Sequence, residues 1–311
     1  MQVIAFKEQF DPDYFPIEFD YPNWLIVPFA DRSSYFPDAY FQINVNKPNS
    51  KWSDIYNFID STGKPKLVCE STPFRRNGYR GDNNGWYYRL GWNHFLRSGV
   101  FNNANSDSVR WEQIKQHQGL DFLPWRNCGD YILIVLQKSG DATLNTMYEK
   151  YSTYDAWLLE TITNIRKYTS EPIVVRPHFG TSKSVYKTAI HQSGVSVSGV
   201  WQDRDTIFEG GASLQQDLDS ARIVVGYNSN ALVESVCDGI PTVALDQDAV
   251  TYPVSINLQD INTPNLTIDR TQWAWDLSYC CWTLAEIRSG IAWQHLKSVQ
   301  PKATWRDLTT V

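Results

Sequence analysis

The sequence has few sulfur-containing residues, with only two methionines and five cysteines among its 311 residues. The cysteines, at positions 69, 128, 237, 280 and 281, form no Cys-x-x-Cys pair, and their number is odd. Neither a disulfide framework nor a zinc cage fits this spacing. We therefore expect reduced and mostly buried thiols.

The sequence also has no long apolar run. Its longest purely apolar stretch, Tyr131 to Leu136, has six residues, whereas a membrane-spanning helix needs about 20. The chain opens without a charged-then-apolar leader, which argues against secretion by a signal peptide. These features predict a soluble cytoplasmic protein without a transmembrane segment.

Basic charge is not in excess either. The formal net charge of −6 argues against a generally basic nucleic-acid binder. The chain is 42% hydrophobic and 20% charged, as in ordinary globular proteins. At roughly 150 residues per domain, its length predicts two domains or one large one.

The C-terminal half shows a regular alternation of strands and helices. Four apolar segments have the composition of buried strands, and helical patterns lie between them. The alternation predicts right-handed crossovers and a Rossmann-like parallel sheet with helices on both faces. The predicted strands are Tyr131–Leu136, Pro172–Arg176, Arg222–Gly226 and Thr242–Leu245, and the helices are Tyr151–Tyr168, Leu214–Ala221 and Asn230–Cys237.

The N-terminal half is less regular and predicts a smaller or incomplete α/β domain. We expect strands at Trp24–Val27 and Pro65–Cys69 on either side of a helix at Ser53–Ser61, and a further helix at Ser106–Gln116. Residues 273 to 296 predict a pair of closing helices broken near Gly290. The expected domains are 1–128, 129–272 and the closing helices 273–311.

Polar residues follow each predicted strand of the C-terminal sheet. In an open parallel sheet, ligands bind at the carboxyl edge of the strands, so these loops should face one crevice. A phosphate could be held there by Arg176, His178 and Ser229, together with the free backbone amides at the start of the helix Asn230–Cys237. Glu234 could bond a ribose diol, although a solvated helix carboxylate is the alternative. The four loops are 137–141, 176–178, 227–230 and 246–248.

The spacing Ser229-x4-Glu234-x4-Gly239-x-Pro241 resembles the nucleotide-sugar half of GT-B glycosyltransferases. The nearest resemblance is to capsule-polysaccharide transferases of the β-Kdo type. In that family a strand is followed by Gln, Asp and a small hydroxyl residue, matched here by Gln137, Asp141 and Thr143. A basic-Pro-His-Pro signature follows the second strand. Arg176-Pro177-His178 matches it, with Phe179 where the family has proline.

This resemblance, which covers Tyr131 to Pro253, implies a GT-B-like fold of two Rossmann-like domains. It implies a transferase that moves a sugar from a nucleotide-activated donor to an acceptor hydroxyl without a catalytic metal or cofactor. His178 is a candidate catalytic residue because fixed donors stabilise the charge on the leaving phosphate; a structural loop histidine is the alternative. The candidate donor-binding residues are Gln137, Lys138, Asp141, Arg176, His178, Asn228, Ser229, Asn230 and Glu234.

An inverting transfer also needs a base that deprotonates the acceptor hydroxyl. Glu70, directly after the strand that ends at Cys69, is the first candidate, and Asp31 and Asp82 are the others. A plain surface or ion-paired carboxylate is the alternative for each of them.

Residues 74 to 101 combine five arginines and eight aromatic residues with a single acid, Asp82. Such a segment could bind the acceptor, since arginine side chains and aromatic rings stack on sugars and on nucleic-acid bases. The alternative is that the aromatic residues belong to the hydrophobic core. Two acceptors are considered, a glycan and a hydroxymethylated pyrimidine in phage DNA. If the acceptor is phage DNA, we expect the protein to work in the host cytoplasm. The candidate acceptor-binding residues are Arg75, Arg76, Arg80, Trp86, Arg89 and Trp92.

Two other interpretations stay open. Asp246-x-Asp248 could bind a divalent cation with the donor, as in metal-dependent transferases, although three other Asp-x-Asp triplets occur in the chain. The protein could also bind a nucleotide or sugar without catalysis, in which case no nucleotide sugar would be turned over.

Overall fold

The computed structural model describes residues 1–10, 19–47, 50–74, 87–178, 181–199, 202–203, 206–207 and 212–301. Its strands are β1 (Val3–Phe6), β2 (Trp24–Val27), β3 (Ala39–Ile43), β4 (Lys66–Ser71), β5 (Tyr87–Trp92), β6 (Tyr131–Val135), β7 (Ile173–Arg176), β8 (Ser196–Val197), β9 (Gln202–Asp203), β10 (Thr206–Ile207), β11 (Ala221–Gly226), β12 (Thr242–Ala244) and β13 (Cys281–Thr283). Its helices are α1 (Ser53–Ser61), α2 (Val109–Gln118), α3 (Asn145–Lys150), α4 (Tyr154–Arg166), α5 (Lys187–Ser193), α6 (Leu214–Ser220), α7 (Ala231–Cys237), α8 (Thr271–Ser278), α9 (Leu284–Arg288) and α10 (Ile291–Leu296).

The chain divides into two compact units. Unit 1 comprises Met1–Leu120 and the segment that begins at Thr271, and unit 2 is Asp121–Arg270. The sequence-based boundaries were placed after 128 and after 272, whereas the units divide after Leu120 and after Arg270. The segment expected to form separate closing helices clusters with unit 1, because α9 and α10 contribute to its hydrophobic core.

Unit 2 is built on a five-stranded sheet in the order β12-β11-β6-β7-β8, with every pair parallel. Alternate side chains of β6 point to opposite faces. Ile132 and Ile134 pack with α4 and α5 on one face, and Leu133 and Val135 pack with α6 and α7 on the other. The predicted parallel α/β domain with helices on both faces is confirmed.

Unit 1 contains a six-stranded sheet in the order β13-β5-β4-β3-β1-β2. The pairs among β1 to β4 are parallel, whereas β5 pairs antiparallel with both β4 and β13. Helices α9 and α10 pack on one face and α1 on the other. The sheet is therefore mixed and larger than the incomplete domain expected from the sequence, while the α/β class is confirmed.

Two of the predicted acceptor-binding residues lie inside unit 1. Trp92 is fully buried, and its indole N–H donates to the carbonyl oxygen of Leu296 over 3.0 Å. Arg89 is 3% exposed, and its Nε donates to the carbonyl oxygen of Ser71. Packing in the sheet, the alternative given for the aromatic residues, accounts for both side chains, so we no longer assign them to the acceptor. Arg75, Arg76, Arg80, Asp82 and Trp86 lie outside the described residues.

No helix among the residues described is long and apolar enough to span a membrane.

Candidate functional site

The polar loops of unit 2 begin where its parallel strands end. Gln137 follows β6, Arg176 is the last residue of β7, Asn228 follows β11, and Asp246 follows β12. Since all these strands run in the same direction, their carboxyl ends lie along one edge of the sheet. Hydrogen bonds between these loops show which of them are in contact at that edge.

Two buried amide side chains join the loops after β6 and β11. Gln137 Nε2 donates to Asn228 Oδ1 over 2.6 Å, and the backbone N–H of Asn228 donates in return to Gln137 Oε1 over 3.1 Å. Gln137 Nε2 also donates to Thr143 Oγ1 over 2.5 Å. The residues are 91 positions apart in the chain, so this pair fixes two distant loops against each other.

Aspartates extend this network at both ends. Asp141 Oδ1 accepts hydrogen bonds from the backbone N–H and the hydroxyl of Thr143, at 3.0 and 2.8 Å. At the other end, Asn228 Nδ2 donates to Asp246 Oδ2 over 2.6 Å and to the carbonyl oxygen of Thr143 over 2.7 Å. The loop after β12 is thereby tied to the first two.

The loop after β7 joins through Thr181. Its Oγ1 accepts a hydrogen bond from the Ser139 N–H over 3.0 Å and donates to the Gln137 carbonyl oxygen over 3.4 Å. Tyr154 of α4 exchanges hydrogen bonds with the backbone of Gln137, and burial raises the pKa of its phenol. The loops after β6, β7, β11 and β12 thus meet through hydrogen bonds, the loop after β7 through Thr181, which lies beyond the predicted stretch 176–178.

Gln137 and Asn228 form the framework of this edge, which differs from the expectation that they contact the donor. They are 9% and 4% exposed. A side-chain amide carries two N–H groups, and both are already used in each residue: Gln137 donates to Thr143 and Asn228, and Asn228 donates to Thr143 and Asp246. Neither amide has an N–H left for a ligand.

Arg176 is held on one side of its guanidinium. Its Nη1 donates to Asp217 Oδ2 over 2.5 Å and to the carbonyl oxygen of Ala212 over 2.8 Å. Asp217 lies in α6 and is nearly fully buried. No sequence signal distinguished Asp217 from the other acids of its helix, and the sequence-based prediction missed it.

The remaining predicted donor residues lie on the same loops and are partly accessible. Lys138 is exposed, and His178, Ser229, Asn230 and Glu234 are half-buried. The Ser229 hydroxyl accepts a hydrogen bond from the backbone N–H of Ala231, at the start of α7. These side chains, together with Arg176, provide the charges and polar groups of the candidate site.

The sequence analysis placed Asp246 in the last of the four loops and considered it as part of a metal-binding triplet. In the structure it is 8% exposed, Oδ2 accepts from Asn228, and Oδ1 accepts from the backbone N–H of Asp248 over 3.0 Å. Burial raises the pKa of its carboxyl, against the effect of these two hydrogen bonds. In the part of the chain that the structure describes, no three His, Cys, Asp or Glu side chains group as ligands of a metal ion.

The two described candidates for the catalytic base differ in their surroundings. Glu70 is half-buried and lies within β4, which extends to Ser71 instead of ending at Cys69. Its Oε1 accepts hydrogen bonds from the N–H and the hydroxyl of Ser71, at 2.7 and 2.8 Å. Asp31 is exposed in the 3-10 turn Phe29–Ser34. Glu70 is therefore the more firmly held carboxylate.

Comparisons with known proteins gave structural similarities only. No family model matches the chain, and no curated protein matches it. Among solved structures, the β-Kdo 2,7 transferase of Thermosulfurimonas dismutans KpsC shares 11% identity at a TM-score of 0.49, covering 96% of this chain and 100% of its own. The β-Kdo 2,4 transferase of the same protein shares 12% identity at a TM-score of 0.45, covering 84% and 89%. At this level of similarity, the functional interpretation rests on the residues of this chain.

Proposed function

We propose that the protein is a glycosyltransferase that moves a sugar from a nucleotide-activated donor to an acceptor hydroxyl. The observation that carries the proposal is the hydrogen-bonded meeting of four loops at the carboxyl edge of the unit 2 sheet. Parallel sheets bind nucleotides at this edge. The motifs that resemble glycosyltransferases lie on these same loops.

The proposed chemistry requires positive and hydrogen-bonding groups near the leaving phosphate. As the glycosidic bond breaks, negative charge develops on the nucleotide phosphate, and preorganised donors stabilise it. We assign this role to Arg176, His178 and Lys138, with Ser229 and Asn230 as further phosphate contacts and Glu234 as the ribose contact. The loops themselves are held together by the hydrogen bonds among Gln137, Asp141, Thr143 and Asn228.

Acceptor activation is assigned to Glu70 of unit 1. One of its carboxylate oxygens is fixed by Ser71, and within the described residues Oε2 makes no hydrogen bond. A base needs a fixed position and a free oxygen for the proton it takes. The motif resemblance favours a glycan hydroxyl as the acceptor. DNA gains no support here, since the described candidates for binding it, Arg89 and Trp92, are buried.

We further propose that the transfer needs no divalent metal. Both oxygens of Asp246 accept hydrogen bonds from within the loop network, so this carboxylate serves the fold of the edge. The proposal predicts that turnover persists in EDTA. Loss of turnover in EDTA with recovery on addition of Mg²⁺ or Mn²⁺ would favour the metal-dependent alternative.

The donor site is tested by a thermal-shift screen of the intact protein with UDP, GDP, CMP, ADP and dTDP. A nucleotide at 100 times its Kd stabilises the folded state by about 2.7 kcal/mol. We expect a shift with one of the five, its loss in His178→Ala and Glu234→Ala, and its retention in His191→Ala, which removes an exposed histidine of α5. An equal shift in all three variants, or no shift with any nucleotide, would refute the donor site.

Catalysis is tested with the nucleotide sugars that correspond to the nucleotide that binds. Glu70→Gln should keep the nucleotide-dependent shift and lose turnover, because the substitution removes a proton acceptor of unit 1 and leaves unit 2 unchanged. Binding without turnover in the unsubstituted protein would instead support a non-catalytic binding protein.

A further inference from the structure

The Arg176–Asp217 ion pair uses a single nitrogen of the guanidinium. Arginine and carboxylate commonly pair through two parallel hydrogen bonds from two nitrogens. Here Asp217 engages Nη1 alone, and the second N–H of that nitrogen donates to the carbonyl oxygen of Ala212. Nε and Nη2 of Arg176 make no hydrogen bond to any residue that the structure describes.

Asp217 is itself held in position. Its side chain is 4% exposed, and the Ser198 hydroxyl lies 2.5 Å from each of its carboxylate oxygens. Ser198 follows β8, and its backbone N–H donates to the Val175 carbonyl oxygen. The carboxylate that binds Arg176 is therefore fixed from both α6 and the sheet.

The backbone beside the guanidinium is shaped to it as well. Gly199 has φ +88°, and a Cβ at this position would lie 3.3 Å from Arg176 Nη1 and 3.4 Å from Cζ. A residue with a side chain would be strained here and would press on the guanidinium. The glycine lets the arginine lie close against the main chain.

We propose that Asp217, supported by Ser198, is a positioning residue that fixes the plane of the Arg176 guanidinium so that its Nε–Nη2 edge binds the donor phosphate. Two parallel N–H groups in a fixed plane match the oxygens of a phosphate. The buried carboxylate keeps Nη1 occupied and stops the guanidinium from rotating. This inference rests on the proposed function, since it needs a nucleotide at this edge.

The test compares each of the five nucleotides of the screen with its nucleoside, which lacks the phosphate. Dissociation constants are measured by titration calorimetry for nucleotides and by ligand-observed NMR for nucleosides. Asp217→Asn should weaken nucleotide binding by about tenfold, the equivalent of one charge-assisted hydrogen bond, and leave nucleoside binding unchanged. A purely structural role would weaken both ligands equally.

A double-mutant cycle shows whether Asp217 acts through Arg176. Arg176→Met should remove the phosphate contribution, and adding Asp217→Asn to it should cause no further loss of nucleotide affinity. The same tenfold loss in both backgrounds would overturn the proposal. If Asp217→Asn does not fold, Ser198→Ala tests it, with a loss of about threefold expected for nucleotides only; equal affinity to the unsubstituted protein would then overturn it.

The outcomes separate the two proposals. If the unsubstituted protein binds none of the five nucleotides, the proposed function and this inference both fail. If it binds one in a His178-dependent way and Asp217→Asn leaves the affinity unchanged, the inference alone fails.

Discussion

Each unit contains an arginine paired with a buried or half-buried carboxylate, and the two arginines are used differently. In unit 1, every side-chain nitrogen of Arg110 donates a hydrogen bond. Nε donates to the carbonyl oxygen of Ser278, and Nη1 donates to Glu286. Nη2 donates to Glu286 and to the carbonyl oxygen of Cys281. Its guanidinium also lies 3.9 Å from the ring centroid of Trp282. In unit 2, Nη1 is the one nitrogen of Arg176 that donates to residues described by the structure.

This difference distinguishes a structural arginine from a candidate ligand-binding one. Arg110 belongs to α2, and its partners lie on the segment from Ser278 to Glu286, so it joins distant parts of unit 1. Four of its five N–H groups donate to these described partners. Arg176 is fixed through Nη1, while its Nε and Nη2 donate to no residue within the described ranges. Recognition of a phosphate requires such a fixed arginine with donors to spare.

The largest effect should come from removing the structural arginine. Arg110→Ala leaves Glu286, which is 23% exposed, without its buried partner, and breaking such a pair costs about 3–5 kcal/mol. Urea unfolding should show this loss. Lys115→Ala is the control on the same helix, because its exposed pair with Glu112 contributes about 0–1 kcal/mol. A loss below about 1 kcal/mol for Arg110→Ala would remove the contrast between the two arginines.

A smaller loss is expected from the amide network of unit 2. Asn228→Ala removes two donors and leaves Asp246 Oδ2 and the Thr143 carbonyl oxygen without these hydrogen bonds, which costs about 1–3 kcal/mol for a buried group. The nucleotide-dependent thermal shift should also fall, since the loops lose their connection. Asn257→Ala is the control, because its amide makes an exposed hydrogen bond to Asp260 at a similar distance, 2.9 Å. Equal effects of the two substitutions would show that the network does not hold the edge together.

The strands of unit 2 could be predicted from the sequence because they are buried on both faces. Tyr131–Val135 and Ala221–Gly226 contain continuous apolar runs, and such runs are typical of parallel strands. The order of strands and helices then placed the loops at one edge. The helix Ser53–Ser61 of unit 1 was also predicted with its observed bounds.

The features that were missed depend on partners far away in the chain. β13 has only three residues, Cys281–Thr283, and pairs with Tyr87–Arg89 of β5, so its local sequence does not reveal it. The hydrogen bonding of Gln137 with Asn228 cannot be predicted from the sequence either. The sequence pattern of a polar residue after a strand is the same whether the residue binds a ligand or another loop. Burial, which only the fold reveals, separated these two roles.

The smallest expected effect is a difference in pH dependence between two carboxyl groups. Burial alone would raise the pKa of Glu286, but the hydrogen bonds and charge of Arg110 outweigh it and hold the pKa below its usual value. The stability that Glu286 contributes is therefore present above its unfolded pKa and is lost as pH falls through its folded pKa. For Asp246, burial raises the pKa, so the folded state binds the proton more tightly than the unfolded chain does. Its contribution to stability decreases as pH rises through the folded pKa.

The two groups should therefore give slopes of opposite sign between pH 7 and pH 4. We expect the stability advantage of the unsubstituted protein over Glu286→Gln to shrink on acidification, and its advantage over Asp246→Asn to grow. Urea unfolding at four pH values measures both, and the exposed Glu160→Gln of α4 corrects for the effect of replacing a carboxylate as such. Slopes of the same sign would show that burial does not dominate at Asp246, and the amide of Asn228 would then be the stronger influence on this carboxylate.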